Sequence, residues 1–337
     1  MLIFKGLSML ISSESCRSAC ISTRRAVQGL FFLICIFIGI RFYLFVHQAG
    51  SGGHVTIARP AGVEAFIPIS ALVSFKYFLC TWTVSQVHPA GLIIFMMICF
   101  TALMMKKVFC SWICPFGLLS DCLASIHSYM FSRTFNLPVW ADIPMRGIKY
   151  LLAGFFIWTI FVTMPATELQ RFIMSQYNVF ADVKMLNFFT DISMHAFFII
   201  LALVVLSVII PRFWCRYLCP YGALLSILGM FSPCRIQRNQ EHCIECGRCE
   251  RACPSGISIM DKEIVRSFEC TACLRCVESC PENNAIGFSV SPGKISLNQS
   301  KVGLILVVFF AVCIIAAMLT DHWSGHIPIQ AYRSYFM

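Results

Sequence analysis

Two runs decide how this chain reads: Cys243-Ile-Glu-Cys246-Gly-Arg-Cys249-Glu-Arg-Ala-Cys253-Pro254 and Cys270-Thr-Ala-Cys273-Leu-Arg-Cys276-Val-Glu-Ser-Cys280-Pro281. Each spells C-x2-C-x2-C-x3-C-P, the spacing of bacterial iron–sulfur runs. Three thiolates at this spacing wrap one face of a cubane, and the turn between them aims backbone N–H groups at the sulfides. The fourth cysteine, stopped by a proline, swings away to the other cluster. One [4Fe–4S] centre is therefore expected on Cys243, Cys246, Cys249 and Cys280, and a second on Cys270, Cys273, Cys276 and Cys253. Zinc knuckles and disulfides are the competing uses. Zinc sites pair two separated C-x2-C or C/H couples, which two identical four-cysteine runs fit poorly.

The rest of the chain is apolar. Of 337 residues, 58% are hydrophobic and 12% charged, with a mean hydropathy of +0.77. A soluble domain carries about 25% charged residues, so the composition points to a polytopic α-helical membrane protein. Twenty cysteines would suit a disulfide scaffold only in a short secreted chain; here they sit in cluster runs or apolar helices, which implies reduced thiols. The net charge of +10 falls in loops and helix ends. No basic stripe with interleaved aromatics is present, so nucleic acid is not an expected partner; the lipid bilayer is.

About five spans are expected, over residues 27–46, 90–105, 148–164, 195–210 and 302–319, with 65–84 re-entrant or lying on the surface because Pro68 and Lys76 interrupt it. Residues 165–194 read as a polar outer loop. The segment 1–26 lacks a small-residue cleavage site and reads as cytoplasmic, leading into an uncleaved anchor. Lys and Arg concentrate in 1–26, 106–149 and 211–301, so the positive-inside rule puts these segments, and the cluster region, in the cytoplasm of a bacterial inner membrane. The expected domains are 1–26, a membrane domain over 27–235, an inserted α+β two-cluster ferredoxin-like domain over 236–292, and 293–337 as a last helix with a short outer tail.

An internal repeat marks the membrane domain. Cys110-Ser-Trp-Ile-Cys114-Pro-Phe-Gly117 follows the basic end of the second span, and Cys215-Arg-Tyr-Leu-Cys219-Pro-Tyr-Gly222 follows the fourth. Pseudo-symmetry would bring Cys110, Cys114, Cys215 and Cys219 together, as a further metal or cluster site or an exchangeable dithiol; burial of small residues at helix ends is the blander use. His88 and His195 take matching places at the outer ends of the second and fourth spans, as quinone or haem contacts or as interfacial imidazoles. Lys76 and Lys184 would pair with Glu64 or Asp182, or snorkel to the headgroups. His322 and His326 read as solvated, and Cys16, Cys20, Cys35, Cys80, Cys99, Cys122, Cys234 and Cys313 as packing residues.

On both C-x3-C-P motifs and the double run from Cys243 to Pro281, the chain resembles the NapH/NosR-type membrane polyferredoxins over about residues 25–320. The resemblance implies cytoplasmic clusters, four or more spans, and a place between quinol and other redox proteins. Unlike the regulator-like members, nothing before residue 25 is long enough for a flavin-binding domain, and no C-x-x-C-H attaches a c-type haem. The expected role is an electron-transfer subunit relaying electrons between the quinone pool and a redox partner, with no stand-alone catalytic constellation. A redox sensor or a metalloenzyme assembly factor would use the same cysteines; a transporter would need buried mid-membrane charges, and the spans show few.

Overall fold

A computed structural model describes residues 22–51, 55–131, 137–282, 284–290 and 295–336. Most of the expected N-terminal segment, with Cys16 and Cys20, and His54 of the first outer loop lie outside these residues. Among the described residues, three helices are long and apolar enough to cross a membrane: Thr23–Gly50, Trp140–Thr163 and Gln299–Leu319. A fourth crossing results if Ala181–Thr190 and Met194–Ile209, bent 80° apart, make one broken span. The Pro89–Met105 helix, counted among the five spans expected from sequence, has 17 residues, short of the roughly 20 that cross a bilayer unaided. Pro68–Thr81 has 14.

Residues 165–194 are not a loop. They form the helices Ala166–Met174, Gln176–Val179 and Ala181–Thr190. The first is amphipathic: Leu169 and Ile173 are buried while Glu168 and Arg171 pair on the exposed side. The tail also folds back, since the Ile329–Phe336 helix packs on Thr23–Gly50 and buries Tyr332 edge-on to Phe45 and Phe180.

Proline writes the local structure of both C-x3-C-P motifs. A residue before proline is pushed out of the α region, and proline suits the first helical position because that N–H has no partner anyway. Cys114 (φ −62°, ψ 123°) and Cys219 (φ −72°, ψ 105°) are accordingly extended N-caps of the helices Pro115–Met130 and Pro220–Leu228. The first cysteine of each motif lies in a short helical turn just before, Val108–Trp112 and the π-helical Trp214–Leu218. The turn-and-restart explains the glycine three residues past each Cys-Pro cysteine. In the first copy a Cβ on Gly117 would overlap the carbonyl oxygen of Cys110. In the second, the nearest atom to a Cβ on Gly222 is the Cys219 sulfur at 3.6 Å, an ordinary contact.

The cysteine-rich segment forms a four-stranded antiparallel sheet, ordered β2-β1-β3-β4, from β1 (Cys234–Arg238), β2 (Ile264–Val265), β3 (Ile286–Val290) and β4 (Ile295–Ser296). Ile236 pairs with both Val265 and Phe288, and all three side chains face one core. That core is continuous with the helices: Ile236, Phe288 and Leu274 belong to the same buried cluster as Val27, Ala102, Trp112, Leu225 and Leu306. Head and helices therefore share their apolar interior.

The glycine geometry separates two otherwise similar substitutions. Gly117→Ala is expected to destabilise by about 3 kcal/mol through overpacking against backbone. Gly222→Ala is expected to be neutral or to stabilise by up to about 1 kcal/mol, since alanine favours the helix. Thermal unfolding of the two variants in the same detergent checks the difference.

Candidate functional site

The two cysteine runs adopt the same backbone twice. Glu245 (φ 53°) and Gly247 (φ 68°) bracket Cys246, and Ala272 (φ 49°) and Leu274 (φ 59°) bracket Cys273, all in the left-handed region. Left-handed residues alternating with ordinary ones turn successive N–H groups into a concavity that binds anions, including iron–sulfur groups. Leucine is strained there, and Leu274 is held by burial in the shared core, where it is 1% exposed. Each run continues into one helical turn, Arg248–Arg251 or Arg275–Glu278.

Two cavities result. The first is lined by Cys243, Cys246, Cys249 and Cys280; the second by Cys253, Cys270, Cys273 and Cys276. Each takes three cysteines from one run and the last cysteine of the other. All the described cysteines are free thiols, so the runs are not cross-linked. No group of three or more His, Cys, Asp or Glu side chains among the described residues is gathered tightly enough for a single metal ion. Four thiols spread round a cavity, with N–H groups aimed inward, are instead the donor set a cubane takes. Burial pushes the Cys253, Cys270 and Cys276 thiols up, so loading a cluster there displaces protons.

The two cavities differ in surroundings. At the first, Cys246 is exposed and Ile244 is 60% exposed, and the Arg238 guanidinium donates to Cys243 Sγ at 3.4 Å. At the second, Cys270, Cys273 and Cys276 are buried. Its loop is stapled to the first C-x3-C-P motif: Ser111 Oγ donates to the Thr271 carbonyl (2.7 Å) and Trp112 Nε1 to the Ala272 carbonyl (3.1 Å). Trp112 is fully buried, with Gly303 of the Gln299–Leu319 helix giving it room. We call the two cavities outer and inner.

Charges reinforce the staple. Asp121 is buried and receives Arg24 (3.1 Å), Arg275 (3.0 Å) and Arg212, joining the first helix, the helical turn after the inner loop and the approach to the second motif. Glu269, beside Cys270, receives Lys149 (2.7 Å) and Lys107 (3.6 Å). Burial raises both carboxyl groups' proton affinity. The cations outweigh it, Arg212, Arg275 and Arg24 at Asp121 and Lys107 and Lys149 at Glu269, and hold both below the usual carboxylate range.

Cys110, Cys114, Cys215 and Cys219 come into one another's electrostatic reach just behind this staple. Ser120 Oγ lies 3.3 Å from Cys215 Sγ, and the Gly222 N–H donates to Cys219 Sγ at 3.3 Å. His88 and His195 do not share a site. His88 is buried at the far end of the Pro89–Met105 helix, where Nε2 meets the Asn178 carbonyl (2.8 Å) and Nδ1 faces Glu64 (3.4 Å). Both its nitrogens are engaged, whereas His195 is exposed. Glu64 and Asp182 pair not with Lys76 or Lys184 but with Arg59, at 2.7 Å each. Lys76 donates to the Ile160 and Met164 carbonyls, which a π-helical turn leaves open, and Lys184 sits over the Tyr177 ring at 4.3 Å. His322 and His326 are exposed. Sequence reading missed Arg59, Asp121 and Glu269. A carboxylate within an apolar stretch was the available signal for Asp121.

A family profile described as "4Fe-4S dicluster domain" matches residues 235–281, and one described as "4Fe-4S binding domain" matches 87–138 and 192–238. The chain is 40% identical over 320 residues to the "Putative electron transport protein YccM" of Escherichia coli, covering 92% of this chain and 88% of that protein. The chain belongs to the NosR/NirI-type membrane-associated iron–sulfur electron-transport proteins. Within that family it is 30% identical to the protein NirI of Paracoccus denitrificans over 154 residues (45% of this chain, 21% of NirI). To the regulatory protein NosR of Pseudomonas aeruginosa it is 28% identical over 156 residues (44% of this chain, 20% of NosR). The chain thus spans most of YccM and about a fifth of NirI and NosR. No solved structure matches it.

The ionic staple predicts a defined pH response. Carboxylates held low in the folded state stabilise above their ordinary pKa, and that contribution is lost as pH falls through the folded value. Hydrogen-exchange protection factors of residues 106–112 and 266–276 should stay high at neutral pH and fall below about pH 4. Asp121→Ala, which strands the guanidinium groups of Arg24 and Arg212 in a buried setting and that of Arg275 at its edge, is expected to cost about 3–5 kcal/mol and to lower protection of the same segments at neutral pH.

Proposed function

We propose that this chain relays single electrons between the quinone pool and a redox partner through two [4Fe–4S] clusters. Cys243, Cys246, Cys249 and Cys280 would hold the outer cluster, and Cys253, Cys270, Cys273 and Cys276 the inner one. The observation that carries this reading is the exchange of the last cysteine between the two cavities, each lined by an N–H concavity. The clusters supply one-electron chemistry when bound. The protein's part is burial, hydrogen bonds to sulfur such as that from Arg238, and a fixed docking onto the helices. A quinol gives up electrons in pairs, and two adjacent centres divide such a pair.

The order of the relay follows from the surroundings. The inner cavity is stapled to the helices, so it is the end that exchanges with the membrane. The outer cavity, with exposed Cys246 and Ile244, is the end open to another redox protein. Two repeats about a pseudo-symmetry axis are supported by one family profile matching twice, each time over one C-x3-C-P motif. In this reading Pro89–Met105 is a fifth crossing that a thinned bilayer accommodates. The four C-x3-C-P thiols, lying between helices and inner cavity, would act as exchangeable dithiols on the same path. Of the two histidines, only His195 offers a ring to a quinone carbonyl. Arg24, Lys106, Lys107, Lys149 and Arg212 all lie at the head's end of the helices, which favours a cytoplasmic head on a bacterial inner membrane.

The test is anaerobic EPR of the full-length, cluster-loaded protein in lipid nanodiscs before and after adding a short-chain quinol. Reduced-cluster signals should appear with quinol and grow with a stronger chemical reductant. Clusters that reduce chemically but ignore every quinol would overturn the relay and favour a sensor or assembly role.

A further inference from the structure

Lys106 breaks a rule that the other buried cations obey. It follows the last residue of the Pro89–Met105 helix with a left-handed backbone (φ 58°) and is 3% exposed. Its ammonium donates to two backbone carbonyls, Val265 at 3.0 Å and Ser267 at 3.5 Å. Among the described residues it has no ion pair, whereas Arg24, Lys107 and Lys149, the other cations buried to the same degree, each have a carboxylate. Around Lys106 lie the Cys270 thiol, an anion once ionised, and the cations Arg235 and Lys107. An ammonium buried in this way is strongly unfavourable unless a negative charge lies close by.

The inner cavity is where that charge belongs. Val265, whose carbonyl holds Lys106, lines the cavity together with Cys270. Other charges on the same side also fall short of balance. At Asp121 three guanidinium groups face one carboxylate, a surplus of two positive charges. At Glu269 two ammonium groups face one carboxylate, a surplus of one. A cubane held by four thiolates is negative in both redox states and more negative when reduced, and net charge and hydrogen bonding set its potential.

We propose that Lys106 is the buried counter-ion of the inner cluster and sets its reduction potential, with Arg275 adding to the same surplus. This rests on the cluster assignment proposed above. Positive charge favours the reduced state, so the helix end that delivers Lys106 biases electrons to rest on the inner cluster. Lys106 thereby acts as a positioning residue for charge, without touching any substrate.

The experiment is an anaerobic redox titration followed by EPR on full-length protein with its iron content measured. Wild type should show two separable cluster signals. In Lys106→Gln, which keeps a donor to the Val265 carbonyl, one signal should shift negative. At the wild-type midpoint its reduced-to-oxidised ratio should fall about tenfold, 59 mV for a one-electron couple. The other signal should stay put, and Lys106→Arg should restore the first. Arg275→Gln leaves Asp121 paired with Arg24 and Arg212, so it should move the same signal in the same direction even if Lys106→Gln fails to fold. Full clusters with unmoved potentials in the folded variants would overturn the inference. Wild type lacking two cluster signals would overturn the cluster assignment itself, and this inference with it.

Discussion

The structure depends on a hydrogen bond that a buried indole must make. Trp112 has no exposed surface, and an indole N–H taken out of water needs an acceptor. It finds the Ala272 carbonyl, inside the loop between Cys270 and Cys273. Because Ala272 is left-handed, its peptide groups are already fixed by the turn that aims N–H groups into the inner cavity. The bond therefore ties the geometry of a helix end to the geometry of the cavity. Ser111 repeats the tie one residue earlier, and Asp121 and Glu269 surround it with ion pairs.

This arrangement gives the chain a polarity. Between the helices and the solvent lie the C-x3-C-P thiols, then the inner cavity, then the outer one. Positive charge accumulates at the first boundary, where Lys and Arg also serve as topology signals. Lys106, Lys107, Lys149 and Arg212, at the head's end of the helices, thus also dock the head. The opposite end of the Pro89–Met105 helix has a separate ionic knot of Arg59, Glu64, Asp182 and His88, with Tyr332 of the returning tail reaching Asp182 at 3.3 Å. That knot fixes where the short helices meet the tail and leaves His88 with no free nitrogen.

What could be read from sequence was local. The cysteine runs declare themselves because their chemistry lies in spacings of two or three residues, and the Cys-Pro pairs announce an extended cap and a helix start. The long apolar helices were legible by hydropathy. Residues 166–190 were not, because charged residues such as Glu168, Arg171 and Asp182 mark an amphipathic helix as readily as a loop. The ion pairs were least legible. Arg24 and Asp121 are 97 residues apart, and Arg59 and Asp182 are 123 apart. Nothing in a linear pattern selects Arg59 over the nearer Lys76 or Lys184 as the partner of Asp182. The lysines' actual contacts, open carbonyls and an aromatic ring, depend on a π-helical turn and a neighbouring helix that periodicity does not predict.

Everything proposed for the head rests on two cubane clusters, each sharing cysteines from both runs. Their presence is tested most directly by Mössbauer spectroscopy with iron and acid-labile sulfide analysis on anaerobically purified, iron-57-enriched full-length protein, compared with Cys280→Ser. Wild type should hold about eight irons per chain, all in [4Fe–4S] form. In the variant, lesions should fall on the cluster held by Cys243, Cys246 and Cys249, while the one held by Cys270, Cys273 and Cys276 stays intact. Zinc in place of iron, or loss of the Cys270 cluster in that variant, would contradict this arrangement.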